Sequence, residues 1–330
     1  MQTTEACSGQ QQGRLSLLVR QIRFEANGIN SYELVHPAGD HLPAFSAGAH
    51  IDVYLNNGVI RQYSLSNSPH ERHRYVIAVL RDEKGRGGSK ALHDSLRVQD
   101  IVAVSHPRNN FRLADKANKV VLLAGGIGVT PIKAMAHALD DTGVPFEFHY
   151  CARNESCVAF GDVLMGPWKH GTTEFHFDHG NPAEGLDIAG LLRDPSEDEH
   201  LYYCGPAGFM QACADASAHW PSGTVHCEHF KAPQTKTAAH DARTGSFMVK
   251  IASTGALIQV GPTTSIVEAL KADGVHIETS CEAGLCGTCR VRYLEGDVDH
   301  QDCILDDVDH QNFLTACVSR AKSPVLVLDL

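Results

Sequence analysis

The chain has 330 residues, 43% apolar and 20% charged, with a formal charge of −11, a globular composition with room for two or three domains. The negative charge disfavours nucleic acid as a partner, because phosphate binding needs the opposite sign. The longest apolar runs, such as Val120 to Ala124, are too short to cross a bilayer, and the polar start M-Q-T-T-E-A-C has no signal-peptide pattern.

Residues 1–13 read as a polar tail. Residues 14–114 are β-rich: Leu15 to Phe24, Ile29 to Val35, His50 to Leu55 and Tyr75 to Leu80 are strand-like runs broken by Gly, Pro and Asn. Short strands at this spacing predict an antiparallel β-barrel, with one helical stretch from Ser89 to Arg97. Two segments of it carry chemistry. In Arg61-Gln62-Tyr63-Ser64-Leu65, strand alternation sends Arg61, Tyr63 and Leu65 to one side and Gln62 and Ser64 to the other. A guanidinium suits a phosphate, an aromatic face suits a flat ring and a hydroxyl can bond a ring nitrogen, although R-x-Y-S also occurs in ordinary surface strands. In Gly85-Arg86-Gly87-Gly88-Ser89-Lys90, glycines open onto a helix with Ser89 as the expected N-cap. That arrangement offers free N–H donors to an anion; a plain flexible loop is the other reading.

Residues 115–230 change character. The strands Lys119 to Ala124, Phe146 to Tyr150, Thr173 to Phe177, Leu201 to Cys204 and Val225 to Glu228 alternate with helices at Ile132 to Leu139, Gly161 to Trp168, Leu186 to Leu192 and Ala207 to Trp220. Alternating βα units predict an α/β parallel-sheet domain, whose ligands bind beyond the carboxyl ends of the strands. The first such end is Gly125-Gly126-Ile127-Gly128-Val129-Thr130-Pro131, a pyrophosphate cradle with Thr130 as an N-cap-type residue and Pro131 at the first helical position. Asp178 ends the third strand, where a carboxylate can bond a ribose hydroxyl and repel a 2′-phosphate, or simply cap a turn. Cys204-Gly205-Pro206 ends the fourth and places the Cys204 thiol at the ligand edge rather than in the core.

Residues 231–245 have no apolar period and read as a linker. From 246 on, Phe247 to Ser253, Leu257 to Val260, a helix at Ser265 to Ala272 and Val325 to Leu328 make a compact α+β pattern. Six Lys/Arg stand there against twelve Asp/Glu. Asp297, Asp299, Asp302, Asp306, Asp307 and Asp309 form a solvated loop or a face that steers a basic redox partner.

Eleven cysteines without a secretion signal argue against a disulfide framework and for the reducing cytoplasm. Cys281, Cys286 and Cys289 have C-x4-C-x2-C spacing, with Cys317 farther on. Four thiolates at plant-type ferredoxin spacing hold a 2Fe–2S cluster. Zinc is the rival, but its sites pair C-x2-4-C knuckles, and here the fourth Cys stands alone. Ala283, Gly284, Gly287 and Thr288 let the backbone wrap tightly and aim N–H groups at the sulfurs. Cys7, Cys151, Cys157, Cys213, Cys227 and Cys303 read as ordinary thiols.

The ordered set R-Q-Y-S-L, G-R-G-G-S, G-G-I-G-V-T-P, Y-C-G-P, E-H-F and the cysteine loop resembles the phthalate dioxygenase reductase family, vanillate demethylase reductases included, from about residue 14 to 330. The resemblance implies an FMN barrel, an NAD domain and a plant-type ferredoxin domain that pass electrons from NADH through FMN and the 2Fe–2S cluster to a separate Rieske oxygenase. It also implies that Arg61, Tyr63, Ser64 and Leu65 hold FMN, flanked by Ala78, Val79 and Leu80, with Gly87, Gly88 and Ser89 on its phosphate. Thr130 falls near the flavin. Gly125, Gly126, Gly128 and Pro131 shape the pyrophosphate turn, and Arg153 and Asp178 serve the adenosine half. Cys204 lies beside the nicotinamide, and Glu228 and Phe230 lie near the flavin. Two other functions stay open: an FAD reductase of a diiron hydroxylase, and a non-enzymatic 2Fe–2S carrier or sensor.

Overall fold

The computed structural model describes residues 13–55, 58–85, 87–231, 245–306 and 308–330. The expected tail, almost all of the expected linker, and Cys7, Arg86 and Asp307 lie outside them. The described residues gather into two compact units. The first runs to Tyr203 and regains Trp220–His226; the second holds Cys204–His219 and everything from Cys227 on.

The first unit opens with β1 (Arg14–Ala26), β2 (Ile29–Val35), β3 (His50–Tyr54), β4 (Ile60–Ser64), β5 (Tyr75–Leu80) and β6 (Ile101–Ser105), in the sheet order β4-β3-β6-β1-β2-β5. The pairs are antiparallel. Alternate residues of these strands meet inside: Leu17, Val19, Tyr32, Leu34, Ile51, Val53, Tyr75, Ile77, Val102 and Val104 form one buried core. Strand β6 was not among the expected runs. Its I-V-A-V stretch has no polar alternation to mark it, because it lies between β3 and β1 in the middle of the sheet. Helix α1 (Gly88–Ser95) follows β5.

A second sheet contains β7 (Lys119–Gly125), β8 (Phe146–Ala152), β9 (Gly171–Phe177), β10 (Glu199–Cys204) and β11 (Val225–Glu228), in the order β11-β10-β7-β8-β9. Strands β7, β8 and β9 pair in parallel. Residues 120–125 of β7 are buried without a break, the signature of a central strand covered on both faces. Helix α2 (Val129–Thr142) is longer than its apolar period predicts, and Gly143 ends it in the left-handed region at φ 80°. The helices α3 (Gly161–Leu164) and α4 (Ile188–Leu191) are single turns. The first is shorter than expected because Gly166 and Pro167 stop it. Helix α5 (Ala207–Ala216) ends four residues before the expected Trp220.

In the second unit, β12 (Phe247–Ile251), β13 (Leu257–Val260), β14 (Arg290–Glu295), β16 (Phe313–Thr315) and β18 (Val325–Leu328) form a mixed sheet ordered β13-β12-β18-β14-β16. The short β15 (Val298–Asp299) and β17 (Arg320–Ala321) pair separately. Helix α6 (Ile266–Ala272) buries Ile266, Val267, Ala269 and Leu270 against Val249, Leu314, Leu326 and Leu328. A capping box starts it: Ser265 accepts from Glu268 N at 3.1 Å, and Glu268 Oε2 accepts from Ser265 N at 2.8 Å.

Candidate functional site

Strand β4 pairs with β3 so that Arg61 faces Val53, Tyr63 faces Ile51 and Ser64 faces His50. Gln62 turns to the far side and donates to Asp52 Oδ1 at 3.1 Å, as alternation requires. Tyr63 packs against the barrel core, and burial raises its pKa, so the phenol stays neutral. Ser64 and Leu65 are buried. Arg61 lies across the start of α1: a Cβ on Gly88 would meet Arg61 Nε at 2.3 Å. Gly87 is left-handed at φ 80°, and no side chain caps the helix. Ser89 is therefore not the cap. Its hydroxyl instead accepts Asp82 N at 3.0 Å, because Gly87 takes the position before the helix. A guanidinium over an uncapped helix start fits a phosphate. Strand β5 forms one edge of this sheet. Ala78 and Val79 are buried there, and Leu80 is exposed. A cavity of about 450 Å³ lined by Phe45, Ser46, Arg108 and Arg112 lies in the same unit and contains none of these residues.

Strand β7 runs into Gly125, and a 3-10 turn over Gly126–Gly128 leads directly into α2. Gly126 takes φ +53°, a conformation that favours glycine. Thr130 is a residue of the first turn rather than an N-cap, and Pro131 is the third helical residue. The cause is that the 3-10 turn stacks onto α2 and moves its start forward to Val129. The Thr130 hydroxyl donates to Ile127 O at 3.1 Å. Arg153 and Asp178 follow the ends of β8 and β9 and are brought together: His179 N donates to Arg153 O at 2.9 Å and Asp178 N to Ala152 O at 3.3 Å. Asp178 Oδ1 accepts Gly180 N at 2.8 Å, which fixes the carboxylate at the strand end.

Cys204 is the last residue of β10 and is fully buried, although the sequence places it at an open ligand edge. Burial, then the charge of Glu228 and Cys227, push its pKa well above the ordinary value, so the thiol keeps its proton. Gly205 is half-buried, and Pro206 precedes α5. Glu228 ends β11, and Phe230 is exposed.

In the second unit the four cysteines converge. The thiols of Cys281 and Cys286 hydrogen bond, as do those of Cys289 and Cys317, and Cys317 feels Cys281 as well. Ala283 N and Leu285 N each donate to Cys281 Sγ at 3.4 Å, and Thr288 N donates to Cys286 Sγ at 3.4 Å. The Cys281 thiol, and after it the Thr288 hydroxyl and the N–H groups of Cys281 and Thr288, hold the Cys286 pKa below the ordinary thiol value. Gly284 and Gly287 are left-handed at φ +72° and +70°. A Cβ on Gly284 would meet Val318 Cγ2 at 2.8 Å and Asp302 Cα at 3.1 Å. Sulfurs with N–H groups aimed at them fit an iron–sulfur cluster. Cys303 is exposed and lies outside this set.

Lys133 went unnoticed in the sequence. It is buried on α2, donates to Ser66 O at 2.9 Å and stands over the Phe160 ring. Burial brings its pKa down to about 8. The signal was there: a lysine among Ile132, Met135, Ala136 and Leu139 cannot reach water easily.

An antiparallel barrel with a guanidinium over an uncapped helix start, a parallel sheet with a glycine turn and a four-cysteine α+β domain define a modular flavin reductase with its own ferredoxin. A family profile for the 2Fe-2S iron-sulfur cluster binding domain matches residues 249–322. The chain is 50% identical to the tert-butanol monooxygenase / tert-amyl alcohol desaturase reductase subunit of Aquincola tertiaricarbonis, over 96% of both chains. It is 43% identical to the phthalate 4,5-dioxygenase reductase subunit of Pseudomonas putida, over 92% of this chain and 93% of that one. The solved phthalate dioxygenase reductase, described as a modular structure for electron transfer from pyridine nucleotides to [2Fe-2S], matches at 40% identity and a TM-score of 0.73 and covers 97% of this chain and 99% of its own. The chain belongs to the phthalate dioxygenase reductase family.

Proposed function

We propose that the chain oxidises NADH and delivers single electrons to the Rieske centre of a separate oxygenase, with FMN and a 2Fe–2S cluster as its carriers. The observation that carries this reading is the convergence of Cys281, Cys286, Cys289 and Cys317 in a chain that also has an uncapped helix start after Gly87 and a glycine turn over Gly126–Gly128. When bound, FMN and the cluster convert the two electrons of a hydride into single ones.

The chain's own residues bind and orient. Arg61 with Gly87, Gly88 and Ser89 holds the FMN phosphate. Tyr63, Leu65, Ala78, Val79 and Leu80 flank the ring, and Thr130 lies near it. The Ser64 hydroxyl would bond a nitrogen of the flavin ring and orient it. Gly125, Gly126, Gly128 and Pro131 let the pyrophosphate approach the backbone, and Gly205 and Pro206 shape the turn after β10. Arg153 and Asp178 take the adenosine half. Cys204, held protonated, is no covalent nucleophile and sets the approach of the nicotinamide. Glu228 and Phe230 assist its orientation. The relatives are named for phthalate, vanillate and tert-butanol enzymes, which fits a reductase that never handles the oxygenase's own substrate. No helix among the described residues is long and apolar enough to cross a membrane.

Mixing the anaerobic protein with NADH tests the enzyme reading. Flavin colour is lost at once if it holds, and persists if the chain is only a carrier or sensor. Chromatography of acid-released flavin separates FMN from the FAD of a diiron-hydroxylase reductase. Asp178→Ala lowers the preference for NADH over NADPH by about tenfold, or 1.4 kcal/mol; an unchanged ratio of kcat/KM values assigns Asp178 to the Gly180 turn alone.

A further inference from the structure

On the nucleotide-binding sheet, three donor atoms meet that none of the roles above uses. The parallel register sets His149 of β8 opposite Glu174 of β9 and Cys151 opposite His176, so period two turns His149, Glu174 and His176 to one face. His149 Nδ1 lies 3.0 Å from His176 Nε2 and 3.8 Å from Glu174 Oε2, and His176 Nε2 lies 3.9 Å from the same oxygen. His149 is 6% exposed, and its Nε2 is buried without a hydrogen-bond partner among the described residues.

We infer that His149, His176 and Glu174 form a binding site for a first-row divalent cation of the zinc type, separate from the cysteine loop. Metal–nitrogen and metal–oxygen bonds of about 2.0–2.2 Å place neighbouring ligands roughly 3–3.5 Å apart. The two imidazole nitrogens already stand at that separation. Glu174, whose side chain is 65% exposed, closes the rest by a small rotation. The His149 Nδ1–His176 Nε2 contact is a hydrogen bond, so a cation that enters the gap displaces the proton shared there. Two nitrogens and one oxygen select zinc, cobalt, nickel or copper over magnesium and calcium. Three protein ligands leave positions for water or an added anion. The paired strands β8 and β9 hold both imidazoles on regular backbone, which limits the ordering that binding requires.

The second unit holds a comparable group, His300, Asp302 and His310, and it serves as an internal control. Cobalt(II) is the probe, added to chelator-washed, oxidised holoenzyme in which flavin and cluster are EPR-silent. The expected result is one bound cobalt per chain with an EPR signal of nitrogen and oxygen ligation, displaced by zinc(II). His176→Asn removes it, Glu174→Gln weakens binding at least tenfold and His310→Asn leaves it in place. Glu174→Gln alters an exposed side chain, so its result does not depend on a buried replacement being tolerated. Absence of saturable cobalt, cobalt retained in His176→Asn, or cobalt lost in His310→Asn overturns the assignment. NADH-driven bleaching of the flavin, run on the same samples, separates this outcome from a failure of the reductase reading.

Discussion

Lys133 places an ammonium group in the interior, with Ser66 O and the Phe160 ring in place of water. Its pKa is brought from 10.5 down to about 8. Between those values the unfolded chain holds a proton that the folded chain has released, so stability rises with pH through that window, by about 3 kcal/mol at most. Urea unfolding at pH 7.5 and 9.5 is expected to show this rise in the parent and not in Lys133→Met; equal slopes refute it. Cys286 sits at the other end of the electron path and accepts Thr288 N. Cys286→Ser abolishes electron delivery to a partner but keeps flavin bleaching by NADH within about twofold. Equal loss of both contradicts the order NADH, flavin, cluster.

At the scale of elements, the start of α1 and the strand β4 make one device. Gly88→Ala drives a methyl into Arg61 and is expected to lower FMN affinity about tenfold or more, roughly 1.4 kcal/mol, read as flavin retained after gel filtration. Unchanged retention places the phosphate elsewhere. Much of this was legible in the sequence, because glycine turns and cysteine spacing are written in consecutive residues. The sequence did not disclose that Arg61 lies on Gly88, since the two are joined only by folding. Strand β14 and its neighbours β15–β17 went unseen for a related reason: they are short pieces bracketing the cysteine loop, and their pairing supplies a regularity that their composition lacks. The His149–His176 pair becomes visible only once the β8–β9 register is known. The exact start of α2 depended on a 3-10 turn that glycines permit without specifying.

Across the molecule, acid stability follows from buried histidines. His50, His137 and His226 each have a pKa lowered to about 4, first by burial and then by Arg108, Lys133 and His200 respectively. From pH 6.5 down to about 4 the unfolded chain takes up protons that the folded chain refuses, so stability is lost across that range. Allowing for solvent screening, the loss is on the order of 1–3 kcal/mol. The urea midpoint is expected to fall steadily between pH 6.5 and 4.5, and less so in His50→Gln; a flat profile contradicts this. The segment around Asp302 to Ile304 bears on how the protein matures. It follows three of the cysteine ligands in the chain and precedes the fourth, its Cys303 N–H is fastened to Gly284 O, and Ile304 reaches Gly287. This stretch shuts the cysteine loop like a hatch fitted before the last bolt. A cluster inserted into the folded chain requires this stretch to lift first, at the cost of the Cys303–Gly284 hydrogen bond.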